Sequence, residues 1–322
     1  MEELYDTIND NIEESFEYAR YWHGYLIMLR PLLLIMNINT IRIFTTILLA
    51  GLATILLYLI AKKINIVTMI IFLFSLIGID YFYMGLSIQG APIMLIMMAF
   101  SIIILLKNAQ MKNITLMFFI TGMITNFFDF LTVPVLTLGM PLTIYFLLKQ
   151  KEEELTIKQI AIIFIKNCIS WAIGYGLTWI SKWIIIDILY GKNVINSAFQ
   201  QVLYRGGTNI QEIKYLSTLK YNIIYANIYS YAALMLTICT YIIINYKKVN
   251  RKKEKRNTKK LLQETAPYIL IFLISLIWYA VLKVHSYQHC FFTYKNMLLI
   301  MLGISILAIK AIDSSIQKEV EK

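Results

Sequence analysis

The sequence predicts an all-α, polytopic integral membrane protein of about nine transmembrane helices, with short interfacial helices on the external side. Three observations carry that reading. Hydrophobic residues make up 59% of the 322-residue chain, and the mean hydropathy is +0.65. Apolar runs recur at spanning length, roughly 20 residues for a hydrocarbon layer about 30 Å thick. Lysines and arginines collect in alternate loops between those runs. Backbone groups in lipid must be bonded internally, so each run reads as a helix.

The spans fall near 41–61, 64–80, 91–106, 114–129, 133–148, 160–188, 222–246, 266–283 and 294–311. The fourth and fifth form one apolar stretch of roughly twice the spanning length. They are split at Phe130 to Pro134, because Asp129 and Pro134 favour a hairpin turn. Basic residues follow every odd-numbered span. Lys62 and Lys63 follow the first, Lys107 and Lys112 the third, and Lys149, Lys151 and Lys158 the fifth. The seventh is followed by the cytoplasmic basic loop 247–260, and the ninth by Lys310, Lys318 and Lys322. Residues 1–40 then form an external, interfacial segment, and 41–322 a helical transmembrane domain with a cytoplasmic C-terminus. The loops near 81–90, 130–133, 189–221 and 284–293 share the external side, which places all three histidines, His23, His285 and His289, outside.

The net charge of +11 reflects this topology. Nucleic-acid binding is not expected: the basic run lies beside a span and has no aromatic interleaving. The 22 Tyr, 17 Phe and 15 Met suit interfacial belts and helix packing among membrane lipids. The wealth of Ile, Lys and Asn points to an AT-rich bacterial genome. Cys168, Cys239 and Cys290 have no paired spacing, so no disulfide framework or zinc motif is readable. Residues 1–18 carry Glu2, Glu3, Asp6, Asp10, Glu13, Glu14 and Glu17, with neither a basic n-region nor an apolar h-region. An acidic external start fits a chain that lacks an upstream membrane helix, or a short tail that translocates unaided.

The external segments hold the candidate chemistry. Arg20-Tyr21-Trp22-His23-Gly24-Tyr25 runs to Arg30-Pro31, where proline breaks or bends the helix. It is either an aromatic anchor or a cavity wall in which His23 or Arg30 contacts a polar or anionic ligand. Asp80 and Asp129 end spans two and four; carboxylates at membrane depth are expensive and face a cavity or partner, unless they cap their helices at the water boundary. Converged, they would bind a divalent cation or orient a sugar hydroxyl. His285 and His289 are four apart and share a helical face. Without a mapped carboxylate they fit contact with phosphate or sugar, helped by Lys295, better than zinc ligation; a solvated interfacial loop is the plainer alternative. Arg205-Gly206-Gly207-Thr208 supplies a turn and a guanidinium suited to phosphate. No Walker pattern, Rossmann fingerprint or Gly-x-Ser-x-Gly elbow is present, and no cofactor motif is evident. Asn113-Ile114-Thr115 matches a glycosylation acceptor on the wrong side of the membrane.

The segments Ala19 to Tyr25 with Arg30-Pro31, Phe127 to Pro134 with Leu138-Gly139-Met140-Pro141, and His285-Ser286-Tyr287 through Tyr294-Lys295 resemble a bacterial group of polytopic proteins related to C-type (GT-C) membrane glycosyltransferases. The resemblance covers most of the chain in hydropathy and loop order. It implies transfer of a sugar from a polyprenyl-phosphate donor on the external face. Such enzymes carry the catalytic acid residue in the first external loop after the first membrane helix. This chain lacks a counterpart of that helix and most of that loop, so the catalytic residue is unassigned and the chain is open to being inactive as it stands. Under this reading Arg205, His285, His289 and Lys295 stabilise the departing phosphate, where negative charge builds. Asp80 and Asp129 contact sugar or metal. A transporter or lipid flippase would instead need polar groups through the midplane, where only Asn126 and Lys166 qualify. A noncatalytic scaffold or remnant is the third reading.

Overall fold

The structure, a computed structural model, describes residues 20–108, 111–191, 193–207, 213–250 and 258–316, without the side chains of 246–250 and 314–316. The acidic segment 1–18, Thr208, residues 251–257 of the basic loop 247–260, Lys318 and Lys322 lie outside the described residues. Every regular element among the described residues is helical. Helix α1 covers Tyr25–Leu33, α2 Ile38–Lys63 and α3 Ile66–Gly78, followed by a 3-10 turn at Tyr81–Leu86. Next come α4 (Ala91–Lys107), α5 (Ile114–Phe128), α6 (Leu136–Glu152), α7 (Ile157–Tyr190), α8 (Val194–Gly206) and α9 (Tyr215–Tyr225). The chain continues as α10 (Ile228–Asn250), α11 (Thr258–Val281), α12 (Lys283–Gln288), α13 (Cys290–Thr293), a 3-10 turn at Tyr294–Asn296, and α14 (Met297–Ile316).

Local sequence sets these boundaries. Asn37 and Asn65 cap α2 and α3 by accepting the amides of Thr40 and Thr68. Thr156 and Gln159 start α7 with a reciprocal capping box. Five helical stretches are long and apolar enough to cross a membrane: Ile38–Lys63, Ile157–Tyr190, Ile228–Asn245, Thr258–Val281 and Cys290–Asp313. Helices α3, α4 and α5 are apolar but shorter. At Asp80 the backbone turns left-handed (φ 52°), which ends α3 and starts the 3-10 turn. That turn packs on α2, where the buried Tyr81 hydroxyl donates to the Leu49 carbonyl at 3.0 Å.

Three boundaries differ from the sequence reading. Helix α1 runs through Pro31 and ends two residues later. The turn between α5 and α6 spans residues 129–135 and contains both Asp129 and Pro134. The predicted span 222–246 is interrupted at Ala226 and Asn227. There the Asn227 amide donates to the Gly78 carbonyl at 3.0 Å, and its side chain accepts from the Tyr229 amide, so α10 starts afresh.

Helix α6 is the centre of the bundle. Every residue from Leu136 to Leu148 is buried, and α4, α5, α7, α11 and α14 surround it. An apolar surface on all sides is what such a position requires. Helices α5 and α7 run parallel in the most extensive packing of the fold. Gly122 and Gly174 permit it: a Cβ on Gly122 would lie 2.2 Å from the Trp171 carbonyl oxygen, and one on Gly174 would lie 2.1 Å from that of Phe119. The Ser170 hydroxyl donates to the Thr115 carbonyl at 2.8 Å. That bond levels Ser170 with the start of α5 and puts Lys166 one turn further toward the basic loops, not at the midplane.

The polar bonds sort the loops into two groups. Lys63 Nζ donates to the Leu105 carbonyl at 2.6 Å, Lys151 Nζ to the Lys63 carbonyl at 2.7 Å, and Lys310 pairs with Glu264 at 3.2 Å. These define a basic end. At the far end of α5 and α7, the Gly24 amide donates to the Phe127 carbonyl at 2.9 Å and the Trp22 indole to the Thr178 carbonyl at 2.6 Å. The histidines lie at that end.

Candidate functional site

The 129–135 turn organises the histidine end. Asp129 is 2% exposed. Its Oδ1 accepts the amide of Thr132 at 3.0 Å and the Thr132 hydroxyl, and its Oδ2 accepts the Tyr175 hydroxyl at 3.1 Å. This Asx-type turn presents the Leu131 carbonyl, with Leu131 itself at φ 63°. His285 Nε2 lies 2.9 Å from that carbonyl. A carbonyl only accepts, so Nε2 carries the proton. Burial and the neighbouring Arg205 charge push the His285 imidazole down to about 3. Burial, followed by Arg205, also lowers His289. The two histidine rings lie 4.9 Å apart, and His289 stacks on Phe292. Both are therefore neutral polar groups at ordinary pH, close to one guanidinium.

Arg205 ends α8. It donates to the Tyr21 hydroxyl at 2.7 Å and lies over the Tyr21 ring. Among the described residues no carboxylate forms an ion pair with it. Asp187 on α7 accepts the Val194 amide at the start of α8 at 2.6 Å, and Arg20 donates to Ser197 at 3.0 Å. These bonds hold α8 over the end of α7.

Beneath α8 lies a cavity of about 250 Å³. Trp171, Trp179, Trp183 and Trp278 line it, with Tyr21, Tyr175, Arg20 and Arg205; the chain has five tryptophans, so four of them meet here. On α7 the rings of Trp171, Tyr175, Trp179 and Trp183 form a continuous ladder with neighbouring centroids 5.0, 5.8 and 5.2 Å apart. The Trp179 and Trp183 indoles both donate to the Arg20 carbonyl. The Trp278 indole nitrogen is buried with no acceptor among the described residues.

No family model, curated protein or solved structure matches the chain. The site therefore rests on its own geometry.

The structure brings Asp129, Arg205, His285 and His289 to this one region. His23 borders it: its Nδ1 lies 2.8 Å from the Tyr21 carbonyl, and its ring meets Phe130 edge-on at 4.9 Å. Arg30 is exposed on α1 and joins no part of the cavity. Asp80 and Lys295 form a separate cluster. The Tyr294 hydroxyl donates to Asp80 Oδ2 at 2.7 Å, and Lys295 Nζ lies 4.0 Å from the Tyr294 ring centroid. Asp80 and Asp129 thus hold different tyrosines and do not converge. Among the described residues no group of three His, Cys, Asp or Glu is placed to hold a metal ion. The tryptophan wall is the feature that sequence reasoning missed. Its signal was the four-residue spacing Trp171, Tyr175, Trp179, Trp183, which puts the rings on one face of a helix.

Proposed function

We propose that this chain is a membrane glycosyltransferase-like protein that handles a polyprenyl-phosphate-linked sugar at the histidine end. The supporting observation is the convergence of Arg205, His285 and His289 beside an aromatic cavity at that end. A planar, permanently charged guanidinium with the neutral His289 imidazole beside it suits a phosphate leaving group, while His285, whose N–H is given to the Leu131 carbonyl, holds the turn in place. In this reading the acceptor hydroxyl attacks the anomeric carbon while the phosphate departs toward Arg205. Asp129 acts through its turn, positioning Leu131 and Tyr175, and the catalytic base is unassigned. Lys295 and Asp80 belong to the second cluster and contribute at a distance from the phosphate. The reading includes nine membrane passes, with α3, α4, α5 and α6 as the shorter ones and the basic end in the cytoplasm.

A transporter would need a polar path between the two ends. A second cavity of about 110 Å³ lies at the basic end, lined by Lys151, Lys310 and Asp313 among others. Among the described residues it shares no lining residue with the tryptophan cavity, and the buried stretch Leu136 to Leu148 of α6 stands in the core, which favours transfer over transport.

The test is sugar transfer from polyprenyl-phosphate donors by the protein in lipid nanodiscs, comparing wild type with Arg205→Ala and His285→Ala. Loss of about a hundredfold in turnover with Arg205→Ala is expected. Absence of transfer and of sugar release from every donor tried would remove the reading.

A further inference from the structure

We infer that the tryptophan cavity binds the hydrocarbon chain of a single-chain anionic amphiphile, whose phosphate or other anionic head is held at the rim by Arg205 and Arg20. The inference deepens the proposed function by naming what the same region recognises, and it rests on that reading only for the identity of the natural ligand.

Three features point this way. The wall is built from indole, phenol and aliphatic side chains, and among the described residues that line it only Arg20, Gln201 and Arg205 have flexible polar ends. A sugar buried there would leave hydroxyls without partners, at a cost an apolar chain avoids. The volume of about 250 Å³ is below the roughly 300–1,000 Å³ of sites that engulf drug-sized ligands. It fits a segment of one chain, not a whole lipid. The cavity also opens sideways. Val202 on α8 and Val281 on α11 both line it and are 47% and 62% exposed. Ile277, one turn before Val281, is 60% exposed. This outward face of α11 is apolar, so a chain would slide in from the bilayer and not from water. At the rim, Arg205 already uses one donor on Tyr21, and a guanidinium has four more. Trp22, the one tryptophan outside the lining, lies under Lys182 at 5.0 Å, which adds a further positive charge at this end.

The wall supplies its own reporter. Wild-type protein in nanodiscs of neutral phosphatidylcholine is titrated with dodecyl phosphate carrying bromine on its terminal carbon, and tryptophan quenching is followed. Quenching is expected to saturate and to be reversed by unbrominated dodecyl phosphate. Arg205→Gln is expected to weaken the apparent affinity about tenfold, and Arg205→Lys less. Val202→Phe, at a half-exposed position where the larger ring does not disturb the core, is expected to fill the cavity and abolish saturation. Quenching that rises linearly with lipid, or that is equal for brominated dodecanol, overturns the inference. Competition by inorganic phosphate alone overturns the part played by the chain. Saturable binding without sugar transfer would sink the transferase reading and leave this one standing; transfer without saturable quenching would do the reverse.

Discussion

His285 shows how burial fixes the chemistry of a single side chain. Its Nε2–H is committed to the Leu131 carbonyl, and its folded value of about 3 lies below the ordinary 6.5. Between those two pH values the unfolded chain takes up a proton that the folded chain refuses. Stability from this group is therefore complete above pH 6.5 and declines as pH falls, by up to about 1.4 kcal/mol per pH unit. Thermal unfolding in nanodiscs is expected to be flat in pH above neutrality and to drop below it. His285→Gln should remove much of that slope; an unchanged slope would mean another group carries it. Asp129 makes a second prediction. Asn at this position retains an oxygen for Thr132 and a polar group for Tyr175, whereas Ala leaves the Tyr175 hydroxyl without its acceptor. Asp129→Ala is expected to lose about 2 kcal/mol, and Asp129→Asn clearly less, when unfolding is followed by denaturant titration.

Helices α5 and α7 test the fold at the next scale. Their contact depends on Gly122 and Gly174, each facing a backbone carbonyl of the other helix. Backbone cannot rotate away as a side chain can, so Gly122→Ala and Gly174→Ala are each expected to cost about 2 kcal/mol. Because both act on one interface, the double variant should deviate from additivity in the same melting assay. Additive, near-zero effects would contradict the close packing. Most helices were legible from apolar runs and flanking lysines. The break at Ala226 and Asn227 was not, because it depends on the Gly78 carbonyl, far away in sequence. The burial of α6 was equally hidden: an apolar run facing lipid and one facing only protein have the same composition.

At the scale of the whole molecule, the lysine cluster of Lys63, Lys151 and Lys310 and the three histidines lie at opposite ends of the bundle. With the basic end in the cytoplasm, a single cysteine at Gln288 should react with a membrane-impermeant thiol reagent added outside intact cells, in a variant whose native cysteines are replaced. One at Glu154 should react only after permeabilisation. Reaction of both from the same side would refute the topology. Hydropathy and lysine placement alone determined that this is a multi-pass helical membrane protein, because lipid forces both signals into the local sequence. They also determined which loops travel together. Tertiary structure alone decided which residues at the histidine end meet. Asp129, Arg205 and His285 are separated by tens of residues in sequence, and only the stacking of α7 against α5, α8 and α11 sets their distances. The same packing turned four scattered tryptophans into one wall, since the direction of a ring depends on the helix face and on the neighbour it finds there.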